Sequence, residues 1–354
     1  MAPQTQRQWV VRKANEIDSL EFQPEAPVPS IGDREVLVRF HAASLNFRDV
    51  LIAKGQYPFP TRDGLVPVAD GAGVVAAVGS RVSRFQVGDR VAGLFHQDHI
   101  AGPFDASYLR SSLGGYVDGT LRQYGAFHEQ GLVRVPANLS LTEAASLPCA
   151  ALTAWSALYP DEGRSVRAGD TVLTEGSGGV STFAIMFAKA AGAKVIATTS
   201  SDEKGQRLKE LGADYVLNYK ENPNWGTLAK RLTPNQDGVD LVVEVGGPAS
   251  ARQALTALKT MGIISMVGSV ASFAAGEDMS QAPTFLETVG RGTVRGVAVG
   301  SRRQFEEMNR AIEANDLHPV LDTNFFKLEH ALEAYDYLWD QKHVGKVIVQ
   351  IIEE

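Results

Sequence analysis

The sequence predicts an α/β protein of two domains, a β-rich one followed by a doubly wound parallel sheet. Three observations predict it. The chain has 354 residues, and at about 150 residues per domain that length suggests two cores. Up to about residue 155, short β-like runs stand between Gly, Pro and Asp punctuation, which is the texture of an irregular, mostly antiparallel β domain. Beyond that point strand-like runs alternate with helical segments of about 10 to 15 residues, as in βαβ units.

In the first domain the strand candidates are "EVLVRF", "GVVAAVG" and "DRVAGLF", which are rich in β-branched residues and bounded by turn formers. In the second, "DTVLTE" precedes a helix from Gly179 to Ala191. Strand "KVIATT", helix "DEKGQRLKELG", strand "DYVLNY", a further helix and strand "VDLVVEV" follow, and the series continues through "GIISMVG" and "GTVRGVAV". From about Ser301 the tail carries two helical stretches and ends in "GKVIVQII", a strand expected to return to the first domain.

Composition narrows the function. At 44% hydrophobic and 21% charged residues, the chain reads as an ordinary globular protein. With 34 basic and 41 acidic residues the net charge is −7, which argues against a surface that tracks nucleic-acid phosphates. "MAPQTQRQWVVRK" lacks the apolar core of a signal peptide, and no run approaches the roughly 20 apolar residues that span a bilayer. A single cysteine, Cys149, excludes an intrachain disulfide and every zinc motif built on two or four cysteines. A cytoplasmic location is the expectation, with a small-molecule substrate, no nucleic-acid or membrane partner, and a homodimeric assembly.

Two stretches fit the dinucleotide fingerprint G-x-G-x-x-G/A loosely. "GAGVVA", Gly71 to Ala76, runs on as a strand and offers no helix N-terminus to a pyrophosphate, so it is read as a decoy. In "EGSGGVS" a strand ends at Glu175 and a helix begins, with Gly176, Gly178 and Ser181 at the three fingerprint positions and Ser177, Gly179 and Val180 between them. There Gly176 permits a tight turn, Gly178 lets the backbone approach the phosphates, and small Ser181 keeps the helix close to the strand. About 20 residues on, where NAD-preferring folds place an Asp or Glu on the ribose, stands neutral Thr199, followed by Ser200, Ser201 and Lys204. Hydroxyls plus a cation suit a 2′-phosphate, so NADPH is the expected cofactor. Ser201 also has a second reading, as the cap of the helix that starts near Asp202.

A β domain, then "TVLTEGSGGVSTFAIMFAKAAGAKVIATTSSDEKGQRLKELGADYVLNY", then "GKVIVQI" resemble the medium-chain dehydrogenase/reductase superfamily, the zinc-type alcohol dehydrogenase and quinone oxidoreductase relatives. The resemblance covers nearly the whole chain. It implies a GroES-like catalytic domain over 1–155, completed by 300–354, a Rossmann NADP-binding domain over 156–299, and an active site in the cleft between them. "SLNFRDVLIAKGQYP" is most similar to the zinc-free members, which include quinone oxidoreductases and the enoyl reductases of polyketide and fatty acid synthases.

The same resemblance places the three catalytic zinc ligands of the alcohol dehydrogenases on Asn46, Ala69 and Cys149. Ala69 cannot bind a metal and an amide is a poor zinc ligand, so no metal is expected where three protein ligands are needed. His96 and His99 read as loop polar residues. Without a Lewis acid, the charge developed by hydride transfer must be delocalised in the substrate or met by hydrogen-bond donors. The expected reaction is therefore hydride transfer from NADPH to an activated C=C bond of an enone, enoyl thioester or quinone. A metal-free aldehyde or ketone reductase and a redox-silent nucleotide-binding protein are the alternatives.

Asn46 is the first candidate to orient the carbonyl, with a loop-holding role beside it. Tyr57 and Tyr116 are candidate proton donors or pocket walls, while Asp49 and Asp70 are expected to fix loops. By resemblance, Thr153 lies beside the nicotinamide, Tyr219 near the 2′-phosphate, Val267, Gly268 and Ser269 on the ribose and nicotinamide side, and Ser301 and Arg302 at the return to the cleft. The stretch from His96 to Gly119 is a candidate lid.

Overall fold

The computed structural model describes residues 3–12, 19–268 and 282–352. The chain divides into two compact units, 1–152 with 300–354, and 153–299. The first contributes strands β1 (Thr5–Val11), β2 (Leu20–Pro27), β3 (Glu35–Leu45), β4 (Asp70–Val78), β5 (Arg90–Gly93), β6 (Tyr124–His128) and β7 (Leu132–Arg134). The second contributes β8 (Thr171–Glu175), β9 (Lys194–Thr199), β10 (Tyr215–Asn218), β11 (Val239–Glu244), β12 (Leu258–Met266) and β13 (Gly292–Gly296), and the chain then adds β14 (Leu321–Lys327) and β15 (Lys346–Gln350) to the first.

In the first unit β1 and β2 form a ribbon, and a larger sheet runs β14-β15-β3-β4-β5-β7 with β6 also on β3. Every pair in it is antiparallel except β14 with β15. β3 is the organising strand: Val36, Val38, Phe40 and Ala42 are fully buried at alternate positions, the period that points successive side chains to opposite faces. The tail strand β15 pairs with β3 through Val347↔Leu45 and Ile348↔Ser44, as "GKVIVQII" suggested. In the helix Arg302–Ala314 the buried side chains include Phe305, Met308 and Ile312, one apolar stripe at helical spacing. Burying each stabilises by about 1.5–3 kcal/mol.

The second unit has six parallel strands in the order β10-β9-β8-β11-β12-β13. Leu173, Ile196, Val242 and Ile264 from four of these strands are buried with Trp225 and Leu255 from two helices, because a parallel sheet covered by crossover helices has no solvent face to spare. The chain runs β8 to β9 to β10 in one direction, then restarts at β11 on the other side of β8. That reversal between β8 and β11 is the topological switch point, where open α/β sheets bind ligands at the carboxyl ends of their strands.

Candidate functional site

The nucleotide-side residues gather at the carboxyl ends of the parallel strands. β8 ends at Glu175, Gly176 turns with φ +77°, and Gly178 caps the helix Gly179–Ala190. A Cβ built on Gly176, Gly178 or Gly268 would meet nothing within 4 Å, so the backbone there borders open space beside free helix N–H groups. That is the room and the polarity a pyrophosphate requires. Ser181 is buried, and its hydroxyl donates to the Glu175 carbonyl, so its side chain fastens helix to strand. At the end of β9 Thr199 is buried with its Oγ1 unpartnered among the described residues, a hydroxyl left for a ligand or a water. Ser200 follows, then Ser201, whose Oγ accepts the Lys204 N–H at 3.4 Å and caps the helix Asp202–Glu210. The cap reading of Ser201 is the one its hydrogen bond expresses. Tyr219, 40% exposed, is tied to the same place by its N–H on the Thr199 carbonyl. Thr153 is buried in the helix Leu152–Leu158, Val267 donates its N–H to Glu244, and Ser269 lies outside the described residues. The glycine cradle and the orphaned hydroxyl fit a dinucleotide.

Beneath this loop stands a feature sequence reasoning missed. Glu175 and Glu244 end the adjacent strands β8 and β11, both buried. Glu244 accepts the Gly247 N–H at 2.6 Å and the Ser250 hydroxyl at 2.5 Å, and Glu175 accepts the Gly246 N–H at 3.2 Å. Burial, and for Glu175 the neighbouring Glu244 charge, push both carboxyls above their ordinary range. Two like charges in one dry site favour keeping a proton there. Glu244, with the better donors, is the carboxylate, and Glu175 carries the proton.

In the first unit register brings distant residues together. β3 pairs with β4 through Ser44↔Asp70 and with β15 through Val347↔Leu45, so Asn46, Asp70 and Lys346 meet at three strand ends. The Lys346 ammonium donates to Asn46 Oδ1 at 2.6 Å, the Leu45 carbonyl at 2.9 Å and Asp70 Oδ2 at 3.1 Å. Both Lys346 and Asp70 are buried, and a buried charge is tolerated when paired and hydrogen-bonded in this way. Burial pushes the Asp70 carboxyl up while Lys346 opposes it. Beside them Arg48 pairs with Asp49 at 3.6 Å, donates to the Leu113 carbonyl at 2.9 Å and lies over the Phe95 and Tyr57 rings at 4.7 and 5.2 Å. Asp49, fully buried, is pushed up to about 6 by desolvation, against the pull of Arg48. Burial likewise raises the Cys149 thiol, which stays protonated.

Several expected roles change. Asn46 was read first as a donor to the substrate carbonyl. Its Oδ1 is instead taken by Lys346, its backbone N–H by Asp49 at 2.8 Å, and its Nδ2 is sealed on the side of Asp70 with no hydrogen bond of regular geometry. The residue braces the ionic cluster through its Oδ1, which accepts from Lys346, and its backbone N–H, which donates to Asp49. Of the two tyrosines, half-buried Tyr57 lies on Arg48 and Tyr116 lines a cavity with Leu113 and Arg122. Ser301 is fully buried and caps the helix Arg302–Ala314, and Arg302 bonds Gln130, so these side chains are engaged within the first unit rather than extended toward a cofactor. The stretch proposed as a lid is a packed aromatic segment. His99 stacks on Tyr108 at 4.7 Å, His96 is held neutral at about 3 by burial, and Arg302 and Arg303 donate their N–H groups to the His99 and Ile100 carbonyls. Arg48 and Lys346 carried no sequence signal of their own. Among the described residues no group of three His, Cys, Asp or Glu side chains is arranged to hold a metal ion. The residues at the resembled zinc positions do not fit zinc either: an amide oxygen bonded to an ammonium, an alanine and a protonated thiol.

Known proteins agree with this architecture. The profile of the alcohol dehydrogenase GroES-like domain matches residues 32–137, and that of the zinc-binding dehydrogenase matches residues 179–314. The chain is 43% identical to a zinc-type alcohol dehydrogenase-like protein of Schizosaccharomyces pombe over 90% of its length and 91% of that protein's. It is 30% identical to the 2-methylene-furan-3-one reductase of Solanum lycopersicum over 99% of its length and 80% of that protein's. Among solved structures, an NAD-dependent alcohol dehydrogenase superposes with a TM-score of 0.86 at 33% identity, covering 98% of this chain and 100% of that one. Two profile matches in chain order, near-complete coverage and 43% identity to one relative establish that the chain belongs to the zinc-type alcohol dehydrogenase-like medium-chain dehydrogenase/reductase superfamily.

Proposed function

We propose that this oxidoreductase is an NADPH-dependent, zinc-independent reductase of C=C bonds conjugated to a carbonyl. The observation that carries the proposal is Lys346: the oxygens of Asn46 and Asp70, at and beside two of the resembled zinc positions, grip an ammonium. A fixed buried cation there repels a second one. The reaction must then avoid localised charge on an oxygen that no metal supports, and 1,4-addition does so by spreading charge through an enolate.

Bound NADPH supplies the hydride. Gly176 and Gly178 would admit its pyrophosphate, the N-terminus of the helix Gly179–Ala190 would favour the anion, and Thr199, Ser200, Ser201, Lys204 and Tyr219 would hold the adenosine end. Lys346, Asp70, Asn46 and Asp49 hold the floor of the first unit's site rigid. Tyr57, half-buried on the face of Arg48, supplies a hydroxyl proton for the enolate carbon or a hydrogen bond for its oxygen. The tomato relative's name describes reduction of an exocyclic enone, which favours this reading, while the NAD-dependent relative makes cofactor choice the sharper question.

The test offers the enzyme a conjugated enone with 4-deuterated NADPH. Deuterium is expected at the β carbon and solvent hydrogen at the α carbon, with the carbonyl intact. Tyr57→Phe should depress kcat and leave the NADPH Kd unchanged. Deuterium on the carbonyl carbon, giving an allylic alcohol, would replace the proposal with carbonyl reduction. For cofactor choice, Lys204→Ala should cost about 1.5–3 kcal/mol in NADPH binding, as for a hydrogen bond to a charged group, and leave NADH nearly unaffected.

A further inference from the structure

A separate cavity in the first unit, of about 480 Å³, is lined by Arg62, Arg110, Tyr116, Asp118, Arg122 and Phe127 among others. None of the Lys346 cluster lines it. Its unusual member is Arg122, which is 6% exposed. Its Nε is sealed without an acceptor, and among the described residues its guanidinium makes no hydrogen bond and no ion pair. The Phe127 ring lies 5.7 Å from it. Asp118, the acid that acts on it, is already occupied: it pairs with Arg62 and accepts the Val66 N–H at 3.0 Å. Desolvation lowers Arg122 to about 10. An arginine normally fills its five donors, and burying one without a partner is strongly unfavourable.

We propose that this cavity is a binding site for a small carboxylate- or phosphate-bearing metabolite, with Arg122 as the buried anchor and Arg110 as the rim contact. Arg110 is exposed at the mouth and has no ion pair among the described residues. Three arginines face two aspartates there, Asp98 and Asp118, with His128 at the edge, so the lining is net positive in a chain of net charge −7. A guanidinium fork matches the paired oxygens of a carboxylate or phosphate, and the volume suits a small metabolite. The proposal does not rest on the reductase reaction, since its test reads anion binding and stability rather than turnover.

The experiment uses the full chain, with inorganic phosphate and succinate as probes at matched ionic strength, read by calorimetric titration and by thermal unfolding. Saturable binding and a concentration-dependent rise in Tm are expected. Arg122→Met should raise the Tm of the anion-free protein, because an unpaired buried charge is removed, and should weaken binding by about 10- to 100-fold. Arg110→Ala, at an exposed position, should leave the anion-free Tm unchanged and weaken binding by about fivefold. An Arg122→Met protein that is less stable without anion and responds to phosphate like the parent would make Arg122 a structural cation and overturn the proposal. Self-association that disappears in Arg122→Met would assign the missing acceptor to a second copy of the chain, with the same consequence.

Discussion

The stretches "DGAGVVA" and "EGSGGVS" carry the same glycine spacing for opposite physical reasons. In the first, the glycines lie inside β4. A Cβ on Gly73 would sit 2.1 Å from the Arg39 carbonyl oxygen, and one on Gly71 would lie 2.6 Å from the Thr120 side chain. In the second, the same positions face emptiness. Glycine is used once because another part of the protein is too close, and at the second loop it leaves open the room that the proposed dinucleotide would fill. A motif of this kind is therefore read by what a methyl group would strike.

The comparison breaks most sharply at Gly73. Gly73→Ala presses a methyl into the neighbouring backbone, which cannot move without losing the β3–β4 ladder, and should cost about 3 kcal/mol or more. Urea unfolding checks this, and a Gly73→Ala protein of parental stability would show that β4 accommodates the clash. Gly178→Ala should cost at most about 1 kcal/mol, the helix-cap difference. It should weaken NADPH binding all the same, since its φ of −77° suits alanine and only the ligand space is filled. Unchanged NADPH affinity would remove Gly178 from the cradle.

A smaller effect distinguishes the two regions by charge. In the first unit's strand-end cluster the buried groups are of opposite sign, Lys346 against Asp70 and Arg48 against Asp49, and they compensate one another. Glu175 and Glu244, under the second glycine loop, are alike and do not. Their carboxyls lie above the ordinary value of about 4.3, so from there up to the raised values the folded state binds more protons than the unfolded one. Stability contributed by this pair is full below that window and declines as pH rises through it. Glu175→Gln mimics the protonated form and should flatten the decline, in unfolding titrations at about pH 5 and about pH 8, with little difference at the lower pH. A parallel decline in parent and variant would place the titration elsewhere.

Much of this was legible in residues near one another along the chain. Nearly every strand and helix named from the sequence is present, including the helix from Gly179, the decoy strand and the returning tail strand. β14, "LDTNFFK", was not foreseen, because four of its seven residues are polar or charged and its parallel partner β15 defines it. The glycine turn was readable for the same reason as the helices: Gly176, Gly178 and the helix N-terminus are consecutive, and turn and cap preferences act over a few residues.

What the sequence by itself determined is thus the order of elements, the glycine turn between β8 and the helix after it, and the amide and methyl side chains that stand at Asn46 and Ala69. Only the tertiary structure decided that Lys346 reaches across 300 residues to Asn46, that Glu175 meets Glu244, and that Arg122 is buried with no acceptor among the described residues. Each depends on strand register or on which groups share a dry volume, and neither leaves a local pattern. Charge is cheap in water and costly in the interior, so the meaning of these side chains was fixed by their surroundings after folding, not by their neighbours in the chain.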